Sequence, residues 1–190
     1  MKIGLYFGSF NPIHNGHLII ANKMYEQMGL DQVWFIPSPQ NPFKNSNQLL
    51  DFKSRSQMIE KAIENHLHLK VNMIEEDLPK PSYTIDTMIE LEKKYPQYTF
   101  YIIIGSDNLE HLDQWKSIDI LLDKFSFHVY NRSTQISSHP FPQDKVIIYD
   151  LPLIELSSTS IRRSIQMGKS IIGEVDSKVI ALIDENHWYF

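Results

Sequence analysis

Short apolar runs alternate along the chain with longer segments of helical period. The apolar runs predict strands at residues 2–7, 32–36, 70–74, 99–104, 126–130 and 146–149. The segments of helical period predict helices at residues 15–28, 52–65, 84–94, 115–123, 159–167 and 175–185. This alternation is typical of a parallel sheet whose strands are joined by crossover helices.

The strongest predicted strand lies in the middle of the chain, at residues 99–104. Tyr101 to Ile104 are four consecutive apolar or aromatic residues, as in a strand buried on both faces. We therefore expect an α/β fold: a Rossmann-like doubly wound parallel sheet with flanking helices and a C-terminal helical segment. The 190 residues suit a single domain, with the core at about residues 1–155 and the helical part at about residues 156–190.

Composition narrows the class of protein further. The formal net charge of −5 argues against a protein that coats nucleic acid with a basic face, although a few cations in one cleft can still hold a small polyanion. The absence of cysteine excludes a disulfide framework and a cysteine nucleophile. We find neither an apolar run long enough to span a membrane nor a leader pattern, and we expect a cytoplasmic protein with no membrane partner.

A ten-residue segment between the first predicted strand and helix, GSFNPIHNGH, carries the sharpest chemical signal. Ligands of open α/β sheets bind where strands end and helix N-termini point their free N–H groups. Gly8 lets the backbone approach a ligand closely, and Gly16 removes a side chain beside the helix start. His14 and His17 can project toward the same end of the helix and donate to phosphate oxygens. Surface histidines, or zinc ligands without an evident third partner, are the alternatives.

A second segment that could bind phosphate oxygens lies at the start of the predicted helix 159–167. Its sequence is LSSTSIR, in which Ser158 or Thr159 is a good N-cap. Arg162 falls in the first turn, where its planar guanidinium matches phosphate oxygens. The alternative is an ordinary capped amphipathic helix with an exposed arginine. Arg163 is interpreted as a solvated neighbour.

Three candidate residues lie in the middle of the chain. Asp107 follows the strongest predicted strand, where a carboxylate can accept hydrogen bonds from ribose hydroxyls. Trp115 can stack on an aromatic or cationic ring, or it can be a half-buried core residue. Thr84 belongs to the segment SYTIDT, which opens a helix with a Ser/Thr-type cap and offers free N–H groups to a carboxylate.

The first two segments resemble the motifs of a known family. GSFNPIHNGH is similar to the (T/H)xGH signature of the nucleotidylyltransferase superfamily, and LSSTSIR to its ISSTxIR motif, with Leu156 in place of Ile. The residues that the resemblance implies for ATP binding are Gly8, Ser9, Phe10, His14, Gly16, His17, Ser158, Thr159 and Arg162. It implies catalytic roles for His14, His17 and Arg162, and for Lys44, whose alternative is a solvated loop lysine.

The middle of the chain resembles one branch of that superfamily. SYTIDT and IGSDxxxxLxxW are similar to the pattern of nicotinate mononucleotide adenylyltransferases. The resemblance implies that Thr84 meets the nicotinate carboxylate, that Asp107 meets the acceptor nucleotide, and that Trp115 stacks on the pyridine ring. Asn11 and Arg132 complete the implied acceptor-binding set. The chain departs from the family pattern at Asn11, where Asp is usual, and after Arg132, where Ser-Thr replaces Pro-Gly.

The resemblance also implies an activity. The phosphate of nicotinate mononucleotide would attack the α-phosphorus of ATP in line, giving deamido-NAD and pyrophosphate for NAD biosynthesis. Mg²⁺ is the implied cofactor, held mainly by ATP phosphates and water rather than by a protein metal site. ATP and nicotinate mononucleotide are the implied partners, nucleic acid is not, and the oligomeric state, a homodimer included, stays open.

Four alternatives remain beside this interpretation. Two are enzymes, a nicotinamide mononucleotide adenylyltransferase and a phosphopantetheine adenylyltransferase. The latter usually has Thr at the position of His14 and lacks the IGxD…W pattern. The other two are a nucleotide-binding sensor without catalysis and an RNA-binding relative of the aminoacyl-tRNA synthetases, against which the acidic charge and the intact HxGH motif argue.

Overall fold

The structure is a computed structural model that describes residues 1–39, 49–131 and 139–190. The strands in these ranges are β1 (Lys2–Gly8), β2 (Gln32–Pro37), β3 (Leu69–Val71), β4 (Thr99–Gly105), β5 (Phe127–Tyr130) and β6 (Val146–Tyr149). The α-helices are α1 (Asn15–Met28), α2 (Phe52–Ile63), α3 (Thr84–Lys94), α4 (Ser106–Leu109), α5 (Ile118–Lys124), α6 (Ser158–Gln166) and α7 (Ser177–Asn186).

The strands form one six-stranded sheet in the order β3-β2-β1-β4-β5-β6, and every neighbouring pair is parallel. The chain builds the sheet outward from β1 to β3, and then returns to place β4 on the other side of β1. The strand order therefore reverses between β1 and β4, which is where doubly wound sheets open a crevice for ligands. The expected α/β doubly wound fold is confirmed.

Side chains alternate between two hydrophobic cores, one on each face of the sheet. In β2, Val33 and Phe35 face the helices α1, α2, α6 and α7, whereas Trp34 and Ile36 face α3 and α5. This alternation follows from the period of two along a strand. Each fully buried large apolar side chain contributes about 1.5–3 kcal/mol to stability. The two C-terminal helices thus share the core of α1 and α2.

Two element boundaries differ from the sequence prediction by three residues, and the others by at most two. The strand expected at residues 70–74 ends at Val71, because the Asn72 side chain accepts the Ile74 N–H at 3.0 Å and a 3₁₀ turn follows. The helix expected at residues 115–123 begins only at Ile118, because Ser117 has a left-handed backbone (φ 55°). Helix α4 and a 3₁₀ turn at Leu112–Gln114 precede it and were not predicted. No helix in the described residues is both long enough and apolar enough to cross a membrane.

Candidate active site

The loop from β1 to α1 is anchored by an aromatic side chain. Phe10 is buried and packs against Tyr6 and Phe35, with ring centroids 5.5 and 5.3 Å away. Its φ of 47° is unusual for a residue with a side chain, so packing must hold it there. A Cβ atom at Gly8 would lie 2.8 Å from the Phe10 ring, which explains why glycine is needed at that position. Any contact of Phe10 with ATP would have to come from its main chain.

The two histidines of the first motif lie side by side at the N-terminus of α1. His14 is the N-cap residue, His17 is in the first turn, and their ring centroids are 3.7 Å apart. The His14 N–H donates to His17 Nδ1 at 3.2 Å, so the neutral His17 ring carries its proton on Nε2. A Cβ atom at Gly16 would lie 2.9 Å from His14 Nδ1, so this glycine makes room for the ring. Both side chains are buried.

The second motif meets the first through two hydrogen bonds. Ser158 Oγ donates to the Pro12 carbonyl at 2.9 Å, and an Arg162 Nη donates to the Asn11 carbonyl at 2.8 Å. Asn11 and Arg162 are 151 positions apart in the chain. The structure therefore brings together the N-termini of α1 and α6, where the positive ends of the helix dipoles favour an anion.

The cap of α6 differs from the expectation. Ser157 is the N-cap residue, and its hydroxyl accepts the Ser160 N–H at 3.1 Å. The prediction that Ser158 or Thr159 caps this helix is therefore wrong. Ser158 is the first helical residue, which leaves its hydroxyl to bind the loop of the first motif. Thr159 is exposed, and its hydroxyl lies 3.4 Å from the second Nη of Arg162.

Sequence reasoning missed a buried arginine that supports the first loop. Arg55 of α2 is fully buried, and its guanidinium donates to the carbonyls of Leu50 (2.8 Å), Ser9 (2.6 Å) and Pro39 (3.4 Å). Burial lowers the pKa of this guanidinium below its ordinary value. The signal available in the sequence was a charged residue on the apolar face of a predicted helix, three positions before Met58.

The residues predicted to bind the acceptor nucleotide lie near the carboxyl end of β4 and the start of α3. Asp107 is exposed and follows β4 directly, in the short helix α4. Thr84 is the first residue of α3 and is half-buried. Trp115 is half-buried, with its ring 5.9 Å from that of Phe127. Part of the Trp115 ring is therefore buried in the core, as the alternative interpretation expected. Stacking of this ring on a ligand stays a prediction.

One lysine holds the Trp115 segment beside the start of α3. Lys116 Nζ lies 4.7 Å from the centroid of the Tyr83 ring and 2.8 Å from Asp86 Oδ2. This contact places Trp115 and the N-terminus of α3 in one region of the molecule. The Ser/Thr-type cap expected for SYTIDT is wrong, because the N-cap residue of α3 is Tyr83 and no side chain caps the helix. The Ser82 hydroxyl instead contacts the Ser38 hydroxyl at 3.1 Å.

Ser38 connects this region to the first motif. Its N–H donates to the Gly8 carbonyl at 2.9 Å, while its hydroxyl contacts that of Ser82. The start of α3 is therefore fixed next to the end of β1, across the crevice where the strand order reverses. Lys44 and Arg132, which were also expected at the site, lie outside the described residues.

A carboxyl group is buried beneath the start of α3. Glu75 is 2% exposed, and its Oε1 accepts the Thr87 hydroxyl at 2.7 Å. Burial raises the pKa of Glu75 above its ordinary value of 4.5, against the opposing effect of hydrogen bonds from Thr87, Ser82 and Ser38. The folded protein therefore keeps this carboxyl group protonated to a higher pH than the unfolded protein does.

We expect the stability of the protein to fall as the pH rises from 4.5 through the raised pKa of Glu75, because the folded state binds more protons than the unfolded state in this range. Glu75→Gln introduces an uncharged side chain with nearly the shape of the protonated acid. The melting temperature of this variant should therefore depend less on pH in this range. Glu76→Gln, at the exposed neighbouring position, is the matched control and should follow the wild type. A Glu75→Gln profile as steep as that of the wild type would contradict the assignment.

Comparison with known proteins supplies the family. The model of cytidylyltransferase-like proteins matches residues 5–164 of the chain. A "Probable nicotinate-nucleotide adenylyltransferase" of Flavobacterium johnsoniae is 44% identical over 195 residues, covering 100% of this chain and 99% of the relative. The protein of the same name from Cytophaga hutchinsonii is 45% identical over 189 residues, covering 100% of this chain and 98% of the relative.

Solved structures support the fold. The nicotinic acid mononucleotide adenylyltransferase of Plasmodium falciparum complexed with NaAD superposes with a TM-score of 0.81 at 20% identity, over 99% of this chain and 97% of that chain. The same Plasmodium enzyme complexed with APC gives a TM-score of 0.79 at 20% identity, over 99% and 96% of the two chains. Since the full-length relatives and the family model agree, the chain belongs to the cytidylyltransferase-like family and, within it, to the nicotinate-nucleotide adenylyltransferases.

Proposed function

We propose that this protein transfers AMP from ATP to nicotinate mononucleotide, giving nicotinate adenine dinucleotide (deamido-NAD) and pyrophosphate in NAD biosynthesis. The observation that carries the proposal is the Arg162–Asn11 hydrogen bond of 2.8 Å, which joins the two family motifs at the crevice of the sheet. The curated relatives bear the name of this activity, and the Plasmodium enzyme was solved with NaAD, the dinucleotide product.

The phosphates of ATP occupy the space between the N-termini of α1 and α6. His17 Nε2, the ring of His14 and the Arg162 guanidinium donate to the oxygens around the α-phosphorus, and Lys44 adds a further positive charge. The phosphate of the acceptor is itself the nucleophile, so no covalent enzyme intermediate is required. It attacks the α-phosphorus in line, and the bond from that phosphorus to the bridging oxygen of pyrophosphate breaks. Catalysis consists of positioning and charge stabilisation.

The acceptor nucleotide lies on the other side of the crevice. The N-terminal N–H groups of α3 at Thr84 suit the negative carboxylate of the nicotinate ring. Trp115 offers a ring face on which a pyridinium can stack, with a cation–π contribution of about 1–2 kcal/mol. Asp107, beyond the carboxyl end of β4, accepts hydrogen bonds from the acceptor ribose. Asn11 and Arg132 are assigned to the same nucleotide by family resemblance.

The proposal assigns Mg²⁺ to the triphosphate and its water shell, where the ion offsets phosphate charge. Among the residues that the structure describes, no group of three or more His, Cys, Asp or Glu side chains is arranged to hold a metal ion. We further propose a cytoplasmic enzyme that takes ATP and nicotinate mononucleotide and no nucleic acid.

Pyrophosphate release from ATP tests the proposed function. The purified protein is incubated with ATP, Mg²⁺ and one acceptor at a time: nicotinate mononucleotide, nicotinamide mononucleotide or phosphopantetheine. We expect release with nicotinate mononucleotide, with a product of the mass of deamido-NAD. Faster turnover with the amide or with phosphopantetheine would replace the proposed acceptor, and absence of turnover with all three would favour a binding protein.

A further inference from the structure

A tyrosine near the end of the described chain reaches the loop of the first motif. After α7 the backbone turns at His187, whose φ is 54°, and at Tyr189, whose φ is 70°. A positive φ at a bulky residue is strained, and it persists where the surroundings hold the residue in place. The Tyr189 side chain is half-buried and packs against the core of α1, α2, α6 and α7.

The Tyr189 hydroxyl is two hydrogen bonds away from the Arg162 guanidinium. It donates to Asn11 Oδ1 at 2.7 Å, and this oxygen also accepts the Leu50 N–H at 3.2 Å. The main-chain carbonyl of Asn11 accepts from an Arg162 Nη at 2.8 Å. Hydrogen bonds from Tyr189 and Leu50 thus hold the side chain of Asn11, and its main-chain carbonyl orients Arg162.

The chemistry of a phenol suits this position. Burial raises the pKa of Tyr189 above its ordinary value of 10, so the hydroxyl remains a neutral donor although Arg55 and Arg162 lie near it. A carboxylate here would form an ion pair with the arginines and would compete with phosphate oxygens for Arg162. A neutral hydroxyl fixes Asn11 and leaves the charge of the guanidinium available to an anion.

We propose that Tyr189 is a positioning residue for AMP transfer, which acts through Asn11 on Arg162. The inference rests on the proposed function and extends it to the end of the chain. Without the hydroxyl, the Asn11 side chain loses a hydrogen bond that helps to hold it, and the carbonyl that orients Arg162 gains freedom. Small displacements of a positioning group reduce the rate strongly, because transition-state contacts depend on alignment.

Tyr189→Phe tests the inference, since it removes only the hydroxyl and retains the ring in the core. We expect kcat to fall about tenfold. The matched control is Tyr149→Phe, which removes another half-buried hydroxyl, the one 3.0 Å from His128 Nδ1. This control should retain the kcat of the wild type. A Tyr189→Phe variant with the kcat of the wild type and of the control would overturn the inference.

A double-mutant cycle distinguishes positioning from general loosening of the fold. In an Asn11→Ala background the acceptor of the Tyr189 hydroxyl is gone, so adding Tyr189→Phe should lower kcat no further. If the kcat losses of the two single substitutions multiply in the double variant, Tyr189 does not act through Asn11, and the inference is overturned. Inactivity of the wild type and of Tyr149→Phe would instead contradict the proposed function, so the two failures are distinguishable.

Discussion

Replacing His17 by alanine should lower the turnover of AMP transfer by about 10²–10³-fold, the usual cost of removing one donor that stabilises developing charge. The reason lies in the geometry of the ring. Because Nδ1 accepts the His14 N–H at 3.2 Å, the proton is placed on Nε2, the atom assigned to a phosphate oxygen. The same bond helps to begin α1, so the variant should also lose about 1 kcal/mol of stability. Steady-state kinetics and thermal unfolding measure the two effects separately.

A second histidine provides the control for His17. His68 is half-buried and stacks on Tyr25 with ring centroids 4.0 Å apart, and its Nε2 lies 2.7 Å from Asn22 Oδ1. His68→Ala therefore removes a less buried imidazole that lies away from the crevice, and turnover should stay near that of the wild type. Near-normal turnover of a folded His17→Ala protein would contradict the assigned role.

Replacing Arg55 by methionine should destabilise the protein by about 2 kcal/mol and lower activity as well. Two effects oppose each other here. Removing a buried guanidinium relieves its desolvation cost, but the carbonyls of Ser9 and Leu50 lose their short donors, at 2.6 and 2.8 Å. The second effect prevails, because unpaired half-buried carbonyls cost on the order of 1–3 kcal/mol each. The Ser9 loop also loses its support, and we expect turnover to fall about tenfold.

Arg163→Met is the matched control for Arg55→Met. Arg163 lies on the exposed side of α6, so its replacement should change neither the melting temperature nor turnover. At this chain length, 2 kcal/mol corresponds to a melting temperature lower by about 5 °C. An Arg55→Met protein as stable as the wild type would show that the three carbonyls find other donors.

The sequence predicted those features that depend on local pattern. The apolar run at Val33, Trp34 and Phe35 indicated a strand, and the alternation of such runs with segments of helical period indicated a doubly wound sheet. His14 and His17 could be singled out because a strand, a glycine turn and a helix start all meet there. The resemblance of the motifs predicted that these histidines lie near Arg162. The Asn11–Arg162 hydrogen bond, which joins the two motifs, agrees with that prediction.

Features that depend on distant contacts were not predictable in the same way. Tyr189 binds Asn11 across 178 positions, and no local property of a tyrosine near the end of a chain indicates such a partner. The position of Arg55 on the apolar face of its helix indicated burial, but the carbonyl groups that accept from it lie on other segments and could not be predicted. Trp115 was assigned to a helix because the apolar spacing continued through it, whereas the left-handed backbone at Ser117 delays the helix start.

The Asn11–Arg162 bond also bears on the order in which the enzyme becomes competent during synthesis on the ribosome. The proposed anion pocket combines residues 151 positions apart, and the ribosome adds roughly 5–20 residues per second. A nascent chain therefore carries its first histidine pair for roughly 8–30 s before the guanidinium that completes the pocket has been made. Early strands can pair during this interval, yet nucleotide cannot assist their folding, and ligand-induced stabilisation begins only once the last helices have emerged.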